Sequence, residues 1–458
     1  MIYLRNKVLP VIIILTVFTI SSCKIGHKYV RPDLNIPTSI IASHDSIMFA
    51  DEDWWEIYSD TTLQQLILKS LSYNKDLLIA VARIKEMAAQ KRISIANLLP
   101  QLDATFHAER ELENRGGDNF KRTDIIEGKL LFSWEIDLWG RLRWANDAAV
   151  ADYISTIEAQ RALQMTIISE VAQAYFELVA LDNELLIVKQ TLDARKEGVR
   201  LAKLRFEGGL TSETSYQQAQ VELARTATLV PDLERQIALK ENDIAFLVGE
   251  YPNKIQRSSL LQEFDFSDTL TVGIPSDLLE RRPDIRQAEQ QLIAANAKVG
   301  VAYTSMFPSF SLTGKFGLES LEFSNFLKSP YAFMEGTILT PVFAMGKNKA
   351  VHKAAKAAYE QEVYQYEKAV LTAFKEVSNA IVEYNKIKEV YESRFRLENA
   401  AKSYVDLAHL QYINGVINYL DVLDAQRGYF DARIGVNNAI RDELIAVVQL
   451  YKALGGGW

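Results

Sequence analysis

A single cysteine, Cys23, stands among 458 residues, so no disulfide can form within the chain. Histidine is nearly as scarce. His27, His44, His107, His352 and His409 are scattered, with no i,i+4 pair and no neighbouring cysteine. That removes the common metal-ligand spacings. There is no GxSxG, no P-loop and no GxGxxG in a strand–turn–helix setting. The abundant carboxylates lie at helix-face spacing, which marks solvated surface, so the residues point to no enzyme, resident metal or cofactor. Positive charge is also in deficit: the net charge of −8 argues against a nucleic-acid partner, which would favour a basic face. After the N-terminus no apolar run reaches 18 residues, so no helix there is expected to cross a bilayer. Any membrane passage must be made by strands.

The N-terminus is different. Arg5 and Lys7 precede an apolar run from Val8 to Ile20, followed by Ser21-Ser22-Cys23. This is the order of a secretory signal, and the run is short for a span of about 20 residues. Ile20-Ser21-Ser22-Cys23 also resembles a bacterial lipobox, in which cleavage leaves a lipid-modified Cys23 as the new terminus. An ordinary signal with an incidental cysteine is the alternative, but a unique cysteine at the cleavage point is better explained by lipid.

The remainder is written twice. "RFEGGLTSETSYQQAQVEL" (205–223) parallels "QYINGVINYLDVLDAQRGY" (411–429), and Gly209/Gly415, Ala219/Ala425 and Gly249/Gly455 are each separated by 206 residues. "LLPQLDATF" (98–106) parallels "MFPSFSLTG" (306–314), and "NKDLLIA" (74–80) parallels "RPDIRQA" (282–288), both at 208. One shift across most of the chain is the mark of a duplication. Each half is expected to hold a medium helix (60–97 and 278–305), a strand pair, a very long helix, a glycine turn and a final helix.

The long helices, 143–206 and 347–412, contain no proline, and Gly198 alone is a weak breaker. Each would span about 95 Å. Apolar positions at 3-4 spacing form one seam through Val171, Ala174, Leu178, Leu181, Leu185, Val188 and Leu192. A second runs from Val363 through Tyr366, Val370, Ala373, Val377, Ala380, Tyr384 and Ile387 to Tyr391. This is coiled-coil patterning, so the partners of these helices must be other long helices.

The strand segments keep a period of two. Leu102, Ala104, Phe106 and Ala108 alternate with Asp103, Thr105, His107 and Glu109, and segments 126–138 and 310–319 behave likewise; 331–343 alternates less cleanly. A half-buried sheet of a soluble domain has the same period, but beside a signal and a lipobox an outer-membrane barrel is favoured. Two strands per repeat give four per chain, and an open sheet would leave unsatisfied edges in lipid. Bacterial barrels begin at 8 strands. Closure then requires two chains, giving 8 strands, or three, giving 12.

The chain resembles the TolC-like outer-membrane efflux ducts, in the lipoprotein branch related to OprM and NodT. The markers are "DWWEIYSD" (53–60), "RRPDIRQAEQQLIAANAKVG" (281–300), "YLDVLDAQR" (419–427) and "YKALGGGW" (451–458). Singly these are weak; in order, with the duplication, they are specific. The resemblance implies a mainly α fold with membrane β: a homotrimer whose 12-stranded β-barrel continues into a periplasmic α-helical barrel with a mixed equatorial collar. It implies the exit duct of a tripartite resistance-nodulation-division efflux pump, with a periplasmic adaptor and an inner-membrane transporter as partners. A structural coiled-coil lipoprotein without transport is the alternative, and it leaves the strands unexplained.

On this reading residues 1–22 are the signal, 23–59 a lipid-anchored equatorial segment and 250–277 an equatorial linker. The first repeat is 60–249, with strands 101–113 and 124–139 and a turn at 208–210. The second is 278–458, with strands 309–319 and 331–343 and a turn at 414–416. Cys23 would carry diacylglycerol and a fatty acid. Gly208, Gly209, Asn414 and Gly415 would form the helix-turn tips that close the duct and meet the adaptor. Leu420, Asp424 and Arg427 fall on positions the family uses as its periplasmic gate; Asp421 adds a carboxylate of unassigned role. Without the resemblance, Asp424 and Arg427 read as an ordinary i,i+3 surface pair. The first half has Thr214 and Gln218 in the places of Leu420 and Asp424, so one turn per chain supplies the gate. The cargo is not legible, and no methionine or cysteine ladder argues for soft metals.

Overall fold

The computed structural model describes residues 24–34, 60–114, 116, 120–257 and 277–456. The signal, Cys23, most of "DWWEIYSD" and most of the 250–277 linker lie outside the described residues. The elements in chain order are α1 (Thr61–Tyr73), α2 (Lys75–Ala96), β1 (Gln101–Glu113), β2 (Lys121–Ile136), α3 (Arg141–Glu207) and α4 (Glu213–Leu247). The second half repeats them as α5 (Asp277–Arg281), α6 (Pro283–Thr304), β3 (Ser309–Ser320), β4 (Pro330–Leu339), α7 (Lys347–Ile413) and α8 (Tyr419–Ala453). The duplication is carried into the backbone. α3 and α7 both have 67 residues, and α4 and α8 both have 35.

The medium helix expected in each half is two helices, broken at equivalent places. Asn74 leaves helical geometry with ψ 129°, and its side-chain oxygen caps α2 by accepting from the N–H groups of Asp76 and Leu77. Its amide donates to the Leu247 carbonyl at 2.9 Å. In the second half the break falls at Arg282, 208 residues on (282 − 74). Pro283 opens α6 there, and a proline bars the residue before it from the helical region while suiting a first helical position. α4 runs through Pro231, an interior proline worth about 3 kcal/mol of destabilisation in a helix. Pro231 and Ala227, whose carbonyl loses its partner, are exposed, so water can satisfy it.

One compact unit comprises residues up to 34, 82–157 and 287–368. Its four strands form one antiparallel sheet in the order β1-β2-β3-β4. The register aligns Leu102, Phe132, Gly314 and Met334 across the sheet, and next Ala104, Leu130, Phe316 and Ala332. Even-numbered positions thus make one apolar face. The other carries Thr105, Lys129, Gly317 and Tyr331 in one row, with Lys129 bridging Glu127 and Glu319 at 2.8 and 2.7 Å. β2 begins three residues before the expected 124 and stops at Ile136 rather than 139. Asp137 leaves the ladder to cap α3, accepting from the N–H groups of Leu142 and Arg143. β4 ends at Leu339 rather than 343, because Pro341 has no N–H to continue pairing. Residues 24–34 are strapped onto this unit. Trp144 Nε1 donates to the Ile25 carbonyl at 2.7 Å, Lys24 lies 3.5 Å over the Trp144 ring, and Arg31 grips Glu289 with two bonds of 2.7 Å.

The second unit holds residues 35–81, 158–286 and 369–458. Its core draws on α1, α3, α4, α7 and α8, through Ile67, Tyr175, Ile244, Val377 and Val447 among others. The predicted seams are buried in part: Val171, Leu178, Val188, Val377 and Ala380 are inside, whereas Leu181, Leu185, Leu192, Tyr384, Ile387 and Tyr391 are half-buried. Tyr175 donates to Asp60 Oδ2 at 2.8 Å, while Asp60 Oδ1 caps α1. One carboxylate thereby fixes both the start of α1 and a buried hydroxyl.

Candidate gate at the helix turns

α3 and α7 end in the same motif. Gly209 and Gly415 take φ of +72° and +74°, a left-handed conformation that an L side chain enters only with strain. Gly209 N–H donates to Phe206 O at 2.9 Å and Leu210 N–H to Arg205 O at 2.8 Å. Gly415 N–H donates to Tyr412 O at 3.0 Å and Val416 N–H to Gln411 O at 2.9 Å. These are paired Schellman closures, which satisfy carbonyls left over at a helix end. Gly208 and Asn414 stand one residue earlier, and Asn414 turns its amide back onto Leu410 O at 2.8 Å.

Asp421 acquires a local role. Its Oδ2 accepts the N–H of Asn418, the N-cap of α8, at 3.1 Å, and it places negative charge in the first turn, where the helix dipole favours it. Leu420 and Asp424 are exposed, Leu420 to 56%. At i and i+4, with Arg427 at i+7, they share one face of α8. Behind them Tyr419, Val422 and Leu423 pack with Tyr412, Ala202 and Ala219. Burial pushes the Tyr419 hydroxyl up to about 12, with the neighbouring Tyr412 adding to the shift, so it stays neutral. Gly198 has a function the sequence did not announce. A Cβ there would stand 3.2 Å from the Tyr419 hydroxyl, so the bare backbone admits that ring.

Arg427 does not pair with Asp424. It hydrogen-bonds Glu222 of α4, 205 residues away. Glu222 also receives Arg195 of α3 at 2.8 Å and Arg225 at 3.3 Å. The Glu222 side chain is 2% exposed and that of Arg195 7%. The hydrogen bond from Arg427 and the charge of Arg195 hold the Glu222 carboxyl below its ordinary range. Burial lowers the Arg195 value against the pull of Glu222. Sequence reasoning missed Glu222 and Arg195, because on a helical wheel a buried carboxylate looks like any solvated one. Asp424 has no hydrogen bond or ion pair among the described residues. The site thus joins a fastened inner side, Glu222 with three arginines, to an exposed face bearing one leucine and one unpaired aspartate.

The matching family model is that of the outer membrane efflux protein, over residues 66–250 and 274–456. Outer membrane protein OprJ of Pseudomonas aeruginosa is 31% identical over 474 aligned positions, covering 99% of this chain and 97% of OprJ. The cation efflux system protein CusC of Escherichia coli is 28% identical, covering 99% of each chain. Among solved structures, the outer-membrane channel OprN superposes with a TM-score of 0.89 at 29% identity, over 95% of this chain and all of that one. With both repeats matched and the fold shared end to end, the chain belongs to the outer membrane efflux protein family.

Proposed function

We propose that this outer-membrane efflux channel works as a homotrimeric exit duct whose periplasmic end is closed by the α7–α8 turns. Family membership and the shared fold support an outer-membrane channel. A spacer without transport leaves the four-stranded sheet without purpose. Four strands with free edges at β1 and β4 need further copies to close in lipid. Three copies give the 12 strands implied by the resemblance.

The observation that carries the gate is the pairing of opposites on α8. Arg427 is tied to Glu222, while Leu420 and Asp424 are exposed and Asp424 makes no hydrogen bond or ion pair among the described residues. Around a three-fold axis they become a leucine ring and an aspartate ring. The first excludes water; the second favours cations, and mutual repulsion raises some of its apparent pKa values as a coupled set. The Arg427–Glu222 tie is the latch that keeps α8 inward. Gly208, Gly209, Asn414 and Gly415 shape the tips for a periplasmic adaptor, which links the duct to an inner-membrane resistance-nodulation-division transporter. Diacylglycerol and a fatty acid on Cys23 supply a second hold on the outer membrane. Cargo selection belongs to the transporter. The relatives' names differ on this point, since CusC is a cation efflux protein.

Leu420→Ala/Asp424→Ala tests the gate by single-channel conductance. Both positions are exposed, where substitutions stay within about 0.5 kcal/mol. A more conductive, less cation-selective channel of unchanged melting temperature is expected. Wild-type conductance would reduce the segment to a helical turn.

A further inference from the structure

The connection between β3 and β4 carries apolar side chains that the duct does not use. Residues Phe323–Lys328 form a 3-10 turn fastened by its own bonds: Ser320 Oγ donates to Glu322 O at 2.8 Å, Asn325 Nδ2 to Glu322 Oε2 at 2.9 Å and Ser329 Oγ to Asn325 O at 2.9 Å. Glu319 N–H donates to Ser329 O at 3.0 Å and shuts the base. A turn so bonded presents its side chains at fixed positions. Phe323 is 78% and Leu327 81% exposed.

Its orientation is set by Phe326. That ring meets Phe106 edge-on at 6.2 Å, and a Cβ on Gly128 would stand 3.2 Å from it. Phe106 and Gly128 are register partners on the apolar, even-numbered face. The connection therefore folds over the apolar face rather than across the charged one. Further toward the β1–β2 end of the same face, Arg110 and Arg122 share Asp124, and Glu109 and Glu322 border the same place, so no positive charge is left in excess there. They line a hollow with Ala108, Ile126, Leu321 and Phe323. Exposed apolar side chains bordered by mutually paired polar ones are the order of a membrane interface.

We propose that the β3–β4 turn is a lipid-docking element: Phe323 and Leu327 insert among acyl chains of the outer leaflet beside the barrel, continuing the apolar face of the sheet. This rests on the reading of the apolar face as lipid-facing. It adds that a connection expected to stand in water lies instead in the bilayer, widening the hydrophobic girdle at the outer rim.

The test is site-directed spin labelling of the full-length protein in phosphatidylethanolamine–phosphatidylglycerol vesicles. Cys23 is the only native cysteine, and unsubstituted protein reports its background. Single variants Phe323→Cys and Leu327→Cys probe the turn, Ser324→Cys its polar side, and Ile338→Cys the apolar face of β4. Labels at 323, 327 and 338 are expected to collide more with oxygen than with a water-soluble nickel chelate, and the label at 324 the reverse. Nickel dominance at 323 and 327 with oxygen dominance at 338 overturns the docking turn alone. Nickel dominance at 338 as well overturns the lipid-facing sheet on which it rests.

Discussion

Glu222 offers the sharpest test of the latch, because its partners differ in burial. Glu222→Gln removes the carboxylate that Arg195, Arg225 and Arg427 share. Arg195 stays inside with only neutral acceptors at that residue, the main-chain carbonyl at 2.8 Å and the new amide oxygen. Removing one partner of a buried pair costs about 3–5 kcal/mol. Arg427→Gln differs: that side chain is 44% exposed, and an exposed pair contributes at most about 1 kcal/mol. The two substitutions should therefore separate in stability and agree in conductance. Both free α8 from α4, so both should raise single-channel conductance; only Glu222→Gln should lower the melting temperature markedly and speed amide exchange over residues 412–430.

The sign with pH follows from the lowered Glu222 value. A carboxyl whose folded pKa is depressed contributes stability that is complete above its unfolded pKa of about 4.3. That contribution is lost only as pH falls through the lower folded value. Amide exchange at the tip should then hold constant from neutrality down to mild acid in wild type. Equal destabilisation by the two variants, or a Glu222→Gln protein that melts and exchanges like wild type, would refute the reasoning.

Gly415→Ala places a Cβ at φ +74°, with about 1–2 kcal/mol of strain expected; Gly209→Ala should cost the same by melting, and only the former should alter conductance. Cys23→Ser should abolish incorporation of radiolabelled fatty acid, and undiminished label would remove the lipid anchor. Native mass spectrometry of detergent-extracted protein should count three chains; a stable monomer in mild detergent would end the shared-barrel architecture.

Much of this was legible in the sequence because it repeats. Gly209 and Gly415, and Gly249 and Gly455, were visible as pairs 206 apart, and all four take positive φ. Heptad spacing located Val171, Leu178 and Val377 in the core, because a coiled-coil seam writes its period directly into the chain. The helix breaks were less visible. Pro283 is an overt signal, whereas Asn74 acts through a side-chain cap that composition does not mark. Long-range polar pairing was not legible at all. Spacing offered Asp424 as the partner of Arg427, since i,i+3 neighbours can be read from one helix. Glu222 wins because the turns bring α4 beside α8, where a carboxylate withdrawn from water attracts a guanidinium more strongly than one still hydrated.

The two turns show how a duplicated backbone came to do one job. Their closures match bond for bond, so geometry alone would let either turn serve as the gate. The side chains break the tie. At a shift of 206, Thr214 and Gln218 stand opposite Leu420 and Asp424, and Gly428 opposite Glu222. The first half therefore supplies the acid that holds, and the second half the arginine that is held together with the face left free. Two identical halves could not do this, because Arg427 requires a carboxylate on its neighbour and none at its own register position. Closing force and closing surface reside on different repeats, so a change to Glu222 acts on the latch while leaving the composition of the Leu420 and Asp424 rings intact.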